Sequence, residues 1–471
     1  MRLFSNLTTL FAYFIFVSSF SVSTPAFSVI PDLEANQDER SLSNPSYVLG
    51  QHWFRQLNGS RALIDFPPAY NYLKETLSHI LPQTNLYNKQ VELTLLNSSQ
   101  SNAFVIPGSH MFIYSDIMET ISNEDMLYGL LAHEVAHLDL RHYERQSEKT
   151  SQELYKTLAL IGAGIAVALA GADADTTNAL WLGGIANQAE NRLSYSRNQE
   201  QEADRKGQEY IINAGLPADS MSKLFQAFFK KALGRPKLEF LSTHPSPDTR
   251  LSDSFHADTK ETILNYRKPT DFEYFRASLL SYRAGLEEQP YAYLDQHIQN
   301  DDARLFAKAL FSYLTHSPER SLSFLSKSTQ DNAFTDYLKT LSFISIDKKT
   351  DAQIVVQKQL EIAPNDIIFS MLDAQLNHTK PPQLPLEYLY EKRLFWRGNI
   401  QYFQSVNNLS MALHFQAQLN FHQGDSKTAL FILERAQRDA NTSDKETIRN
   451  TKASFEKIIQ TEKLEDIDHE D

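Results

Sequence analysis

The stretch that most constrains the fold of this 471-residue chain is an apolar helix pattern interrupted by ionisable side chains. Ser122-Asn123-Glu124-Asp125 offers a capping-box-like start with acidic residues in the first turn, favourable at a helix N-terminus. Met126, Leu127, Leu130 and Leu131 then carry the helix to about Arg145. It is apolar on most faces before His133, so it is expected inside the fold. Yet it carries His133, Glu134 and His137. Histidines four apart sit about 40° apart around a helix axis, so both imidazoles can reach one metal ion. Glu134, about 100° round from His133, is poorly placed as a ligand but can reach a water at the metal. Such groups in a core without partners are costly, which favours a metal site over two solvated histidines. His142, five residues past His137, faces elsewhere and is not expected as a ligand.

The H-E-x-x-H spacing is that of zinc peptidases, with the glutamate as general base. The chain has no cysteine, so the remaining ligands must be histidine or carboxylate, and no disulfide can form. A third protein ligand leaves one position open for water. Ser196-Arg197-Asn198-Gln199-Glu200-Gln201-Glu202-Ala203-Asp204 opens a charged helix that can supply it. Glu200 and Asp204 share a face, while Glu202 projects almost opposite Glu200. One carboxylate can bind the metal while another hydrogen-bonds a ligand histidine. The formal charge of −13 argues against nucleic acid or an anionic membrane surface as main partner.

Around this centre the chain reads in order. Arg2 and the apolar run 7–20, followed by small residues, resemble an export signal cut between about Ser23 and Ser28. Order is expected from near Tyr47. Asp65 before Pro67-Pro68 reads as the N-cap of a helix to about Leu81. Val91–Leu96 alternates like a strand, and residues 102–114 are β-rich on both sides of Pro107-Gly108, as at a sheet edge, a bulge or a hairpin. An edge strand there could take up an extended peptide. The Gly- and Ala-rich apolar run 158–170 is too short to span a bilayer; with Trp181-Leu182-Gly183-Gly184-Ile185 it suggests a hairpin near the site. From about Phe272 to Ile459 the pattern is helical. Ala417, Gly424, Ala429, Leu433 and Ala436, and upstream Ala352, Val356 and Pro364, fit a degenerate tetratricopeptide frame. Such an array is expected to offer a concave partner surface.

Three ordered motifs then carry a resemblance: His133-Glu134-x-x-His137, Glu200-x-x-Ala203-Asp204 and His244-Pro245-x-x-x-x-Arg250, preceded by Asn102-Ala103-Phe104 and Pro107-Gly108. Over residues 47–255 the chain resembles the zinc peptidases related to the CAAX-prenyl proteases and the bacterial HtpX-type membrane proteases. The resemblance implies one zinc ion held by His133, His137 and Glu200, with Glu134 as base and Asp204 and Arg250 as supporting residues. It implies that His244 lies over the zinc, either stabilising the oxyanion or filling the open position. Ser109 departs from the family pattern, which commonly has a second glycine there.

The fold class expected is α+β, mostly α: a zincin-like metalloprotease domain with a small β-sheet, then an α-helical tetratricopeptide-type repeat domain. The boundaries expected are a signal peptide at 1–26, a flexible lead-in at 27–46, the protease domain at 47–260, the repeat domain at 270–462 and an acidic tail at 463–471. Within the family, an exported form with a helical second half is similar to members of the Gram-negative periplasm that work beside the outer-membrane barrel assembly machinery. That implies cleavage of misfolded or stalled outer-membrane proteins, contact with the machinery through the repeats, and peripheral membrane contact through residues 158–185. The alternative is a chaperone-like or adaptor role of the repeats, with a latent or structural zinc site.

Overall fold

The structure, a computed structural model, describes residues 41–147, 195–233, 240, 244 and 269–467. The expected signal peptide, most of the lead-in, the apolar segments 158–170 and 181–185, Arg250 and residues 468–471 lie outside the described residues.

A helix not anticipated from sequence opens the described chain. α1 (Pro45–Asn58) is capped by Asn44, whose side chain accepts from the Ser46 and Tyr47 amides, and it buries Val48, Trp53, Phe54 and Leu57. α2 (Pro67–Ile80) follows as expected, with proline in its first turn, but Asp65 does not cap it. Phe66 occupies the N-cap position, and Asp65 instead pairs with Arg393 and Arg397 at 3.7 and 2.6 Å. Burial raises the Asp65 pKa, but the two guanidinium groups outweigh it and hold the carboxyl below its ordinary value.

β1 (Glu92–Leu96), β2 (Ala103–Ile106) and β3 (His110–Tyr114) form a sheet in the order β1-β3-β2. β3 pairs in parallel with β1, Glu92 opposite His110, and antiparallel with β2, Ala103 opposite Ile113. The Pro107-Gly108 break is therefore a hairpin, with β2 on an edge. Gly108 has φ 87° and Ser109 φ 60°, so a serine makes the left-handed turn at a cost of about 1 kcal/mol.

α3 (Glu124–Asp139), capped by Asn123, carries the two histidines and is buried on nearly every face. It stops at Asp139 instead of running to Arg145. Arg141 takes φ 50°, and a short α4 (His142–Ser147) starts in a new direction. α5 (Arg197–Asn213) begins with a Ser196–Gln199 capping box, and α6 (Ser220–Ala232) follows. Both pack on α3, closely enough that Gly129 faces the Ser220 backbone and Gly207 the Ala132 backbone.

The sheet is covered on both sides. Leu93, Leu95, Ala103, Val105, Met111 and Ile113 join the cluster that contains the apolar residues of α2 and α3. Leu96, Phe104, Ile106, Phe112 and Tyr114 pack with Trp53, Phe54 and Leu57 of α1. Two buried faces explain near-continuous apolar strands.

The second half is helical: α7 (Pro269–Ala284), α8 (Pro290–His297), α9 (Asp301–Leu314), α10 (Pro318–Leu325), α11 (Ala333–Ser345), α12 (Lys349–Ile362), α13 (Ile367–Asn377), α14 (Leu389–Ser405), α15 (Leu409–His422), α16 (Ser426–Asp439) and α17 (Thr442–Ile467). Neighbours from α11 onward pack in sequence. Ala417, Ala429, Leu433 and Ala436 are buried between helices, and Gly424 makes the α15–α16 turn at φ 79°. This half is bound to the first. α7 packs on α2 and on the 3-10 turn Ser115–Glu119, α11 and α14 reach α2, and α15 and α17 reach α1. Arg276, buried, donates through Nε to the Met118 and Ile121 carbonyls and through Nη1 to that of His297. Among the described residues no helix is long and apolar enough to cross a membrane.

Candidate metal centre

Helical spacing on α3 puts His133 and His137 one turn apart on one face, with their Nε2 atoms 3.0 Å from each other. α5 crosses that face and brings Glu200, whose Oε2 is 3.6 Å from His133 Nε2 and whose Oε1 is 3.4 Å from His137 Nε2. His244 completes the group: its Nδ1 lies 3.2 Å from His133 Nε2 and 3.0 Å from Glu200 Oε1. One ligand atom from each of the four buried residues falls within 4.8 Å of all the others.

His244 is held by its surroundings. Its amide donates to the Phe240 carbonyl at 2.8 Å, and the Phe240 amide donates to the Ser101 carbonyl, just ahead of β2. The Phe240 ring stacks on His244 on one side and on Phe228 of α6 on the other, with centroids 4.5 and 4.3 Å away. A second ring, Tyr195, stacks on His137 at 3.9 Å. Burial first, and then the nearby Glu134 and Glu200 carboxylates, push the Tyr195 pKa well above its ordinary value, so it is a neutral phenol.

The donor set fits a metal ion. Asp204 Oδ1 is 2.9 Å from His133 Nδ1, so the His133 proton sits on Nδ1 and its Nε2 lone pair faces the cluster. Converging lone pairs with a carboxylate in a buried space repel one another, and a cation removes that repulsion. Three imidazole nitrogens and one carboxylate oxygen, with no sulfur, are ligands suited to zinc among the transition metals.

Glu134 is fully buried one residue along α3, and its Oε1 lies 3.6 Å from His244 Nε2. Glu202 points away from the group, as its helical position requires. Its Oε2 takes His142 Nε2 and Arg145 Nη1, each at 3.1 Å. His142 was expected to face elsewhere, and here the structure differs: its Nδ1 sits 2.9 Å from His137 Nδ1. The turn at Arg141 brings it back, which a continuous helix to Arg145 would not. Burial lowers the His142 pKa, against the opposing pull of Glu202. Sequence reasoning missed Tyr195, Phe240 and Gly207 as well. Only Gly207, a glycine inside a helix pattern, left a signal, since such a residue often marks a close approach.

Residues 68–254 match the model of Peptidase family M48. The chain is 26% identical over 297 residues to the beta-barrel assembly-enhancing protease of Escherichia coli, covering 61% of this chain and 60% of the relative. It is 28% identical over 232 residues to the protein of that name from Yersinia pestis, covering 49% of this chain and 47% of the relative. It is also 32% identical over 161 residues to the mitochondrial metalloendopeptidase OMA1 of Saccharomyces cerevisiae, covering 33% of this chain and 43% of that one. The matched part thus spans less than two thirds of these relatives' length.

Proposed function

We propose that this chain is a zinc metalloendopeptidase of the Gram-negative periplasm that cleaves misfolded or stalled outer-membrane β-barrel proteins and so assists their assembly. The observation that carries the chemistry is the buried convergence of His133, His137, Glu200 and His244 beside Glu134. The substrate class and the place of action draw support from relatives named for barrel assembly.

His133, His137 and Glu200 would hold the ion. Bound there, zinc would supply Lewis-acid polarisation of the scissile carbonyl and acidify a water to a pKa of about 7. Glu134 takes the proton from the attacking water and gives it to the leaving amine. Asp204 keeps the His133 proton on Nδ1, so that Nε2 keeps its lone pair free of a proton for the metal. His244 has its Nδ1 among the ligand atoms, and this favours a resting state in which His244 fills the fourth position. A substrate or partner must then move it, and once moved its side chain can face the developing oxyanion.

The test is cleavage of an unfolded outer-membrane β-barrel protein by the purified full chain loaded with zinc. Glu134→Gln should retain zinc and lose about 10²–10⁴-fold in rate; undiminished cleavage would remove Glu134 as the base. His244→Ala should cleave faster than the parent if the resting site is closed, and slower if the histidine serves only the oxyanion.

A chaperone-like or adaptor role through the helical half is the second reading. Cutting that half away cannot test it. One hydrophobic cluster runs from Ile64 of the first half to Tyr390 of the second, so truncation would expose the protease core. Point variants on the outer surface of α12–α16 are the suitable probe: loss of assembly support with cleavage intact would favour it.

A further inference from the structure

His133 Nδ1 donates its outer hydrogen bond directly to α5, to Asp204 Oδ1. His137 Nδ1 meets His142 Nδ1 at 2.9 Å, and Glu202, between Glu200 and Asp204 on α5, points away from the cluster onto His142 Nε2. We propose that His142 links Glu202 to His137: it is a positioning residue that accepts the His137 Nδ1 hydrogen bond and is itself oriented by Glu202, so that α5 sets both ligand histidines. The inference rests on the metal-site reading above.

The direction of the hydrogen bonds follows from the end of the chain of contacts. Glu202 is a carboxylate, so His142 Nε2, at 3.1 Å, must carry a proton and donate. In a neutral imidazole the other nitrogen is then an acceptor. His142 Nδ1 therefore accepts from His137 Nδ1 at 2.9 Å. With its proton on Nδ1, His137 presents a bare Nε2 to His133, Glu200 and His244. The opposite order would put a proton on His137 Nε2 and abolish it as a ligand.

The backbone holds this arrangement. Arg141 at φ 50° ends the α3 direction and turns His142 onto His137. Gln199 Nε2, in the first turn of α5, donates to the His142 carbonyl at 3.0 Å. Arg145 reaches the same Glu202 oxygen at 3.1 Å. Tyr195 covers the His137 ring face, so ring plane and proton position are both determined. Along α5, Gln199, Glu200, Glu202 and Asp204 thus act on α4, the metal, His142 and His133 in turn.

The experiment uses the full chain with ¹⁵N-labelled histidine, and zinc as the probe. Long-range ¹H–¹⁵N spectra of the metal-free protein should show His137 protonated on Nδ1 and His142 on Nε2. A His137 proton on Nε2 would overturn the proposal. Zinc affinity, measured by competition with a chromophoric chelator, should fall about 10–100-fold in His142→Leu, while His142→Asn, which restores an oxygen acceptor near the Nδ1 position, stays within about threefold of the parent. Equal affinities for all three proteins, or equal losses in both variants, would refute it. If His142→Leu does not fold, Glu202→Ala at the protein surface serves instead and should lose affinity while keeping the parent's thermal unfolding; unchanged affinity refutes the relay. A parent protein that binds no zinc defeats the metal-site reading, and the proton positions in the metal-free spectra still decide the relay. Zinc binding with no cleavage by either the parent or His244→Ala defeats the peptidase reading alone.

Discussion

Gly207 lies on α5 where that helix presses against α3, and adding one methyl group there tests how tightly the ligand-bearing helices are coupled. A Cβ at this position would lie 3.0 Å from the Ala132 carbonyl oxygen, 3.1 Å from its carbon and 3.2 Å from the His133 nitrogen. Relief requires α5 to retreat by a few tenths of an ångström. In Gly207→Ala the gain in helix propensity, about 1 kcal/mol, offsets part of an overpacking cost of about 1–3 kcal/mol. The net loss is about 0–2 kcal/mol, or a fall in Tm of no more than about 4 °C. Metal binding is less tolerant, because ligand distances must hold to about 0.2 Å. Glu200 rides on α5, so the same retreat draws it away from His133 and His137. Zinc affinity should fall about tenfold or more, which is about 1.4 kcal/mol. The assay is zinc competition against a chelator, beside thermal unfolding of the metal-free protein. Gly129→Ala is the control: its Cβ would meet the Ser220 carbonyl oxygen at 2.8 Å, but the crowded neighbour is α6, which carries no ligand. It should lose stability with zinc affinity retained. If Gly207→Ala binds zinc within about twofold of the parent, a helix shift of this size does not reach the ligands and the reasoning fails.

Removing the metal with a chelator should lower stability by about 2.7 kcal/mol relative to protein at a free zinc concentration 100 times Kd, read as a fall in the urea midpoint; no change would show that the site does not bind in the folded state. Arg276→Leu leaves the Met118, Ile121 and His297 carbonyls without their donor and should cost about 3 kcal/mol or more in denaturant unfolding; a loss under about 1 kcal/mol would show that this contact does not tie the two halves. His414, buried on α15, has its pKa lowered to about 4 by burial, opposed by Asp444. A histidine with a depressed folded pKa stabilises above its unfolded value near 6.5, and that contribution is lost as pH falls from there toward about 4. Between pH 7 and pH 5 it should remove about 2 kcal/mol, and His414→Phe should flatten that slope. Parallel losses in parent and variant would place the acid sensitivity elsewhere.

Much of the centre was legible because its ligands come in helical pairs. A period of 3.6 residues determines that His133 and His137 share a face, that Glu200 and Asp204 share another, and that Glu202 does not join them. The same local rules marked the strands on both sides of Pro107-Gly108 and the helical second half. Periodicity gives angles around one axis, however, and says nothing of the distance between two axes. Only the tertiary structure set Gly207 against Ala132, laid Phe240 under His244, and covered the outer face of the sheet with α1. Asp65, read locally as a cap, was taken by Arg393 and Arg397 from the far half, because paired guanidinium groups stabilise a carboxylate more than one backbone amide does. β1 and β3 became parallel neighbours through a connection no local pattern announces. His142 shows the difference most simply. Its residue type was in plain view, but one backbone angle at Arg141 decided whether it pointed to solvent or to His137, and a single left-handed arginine leaves no mark on the pattern of apolar and polar residues.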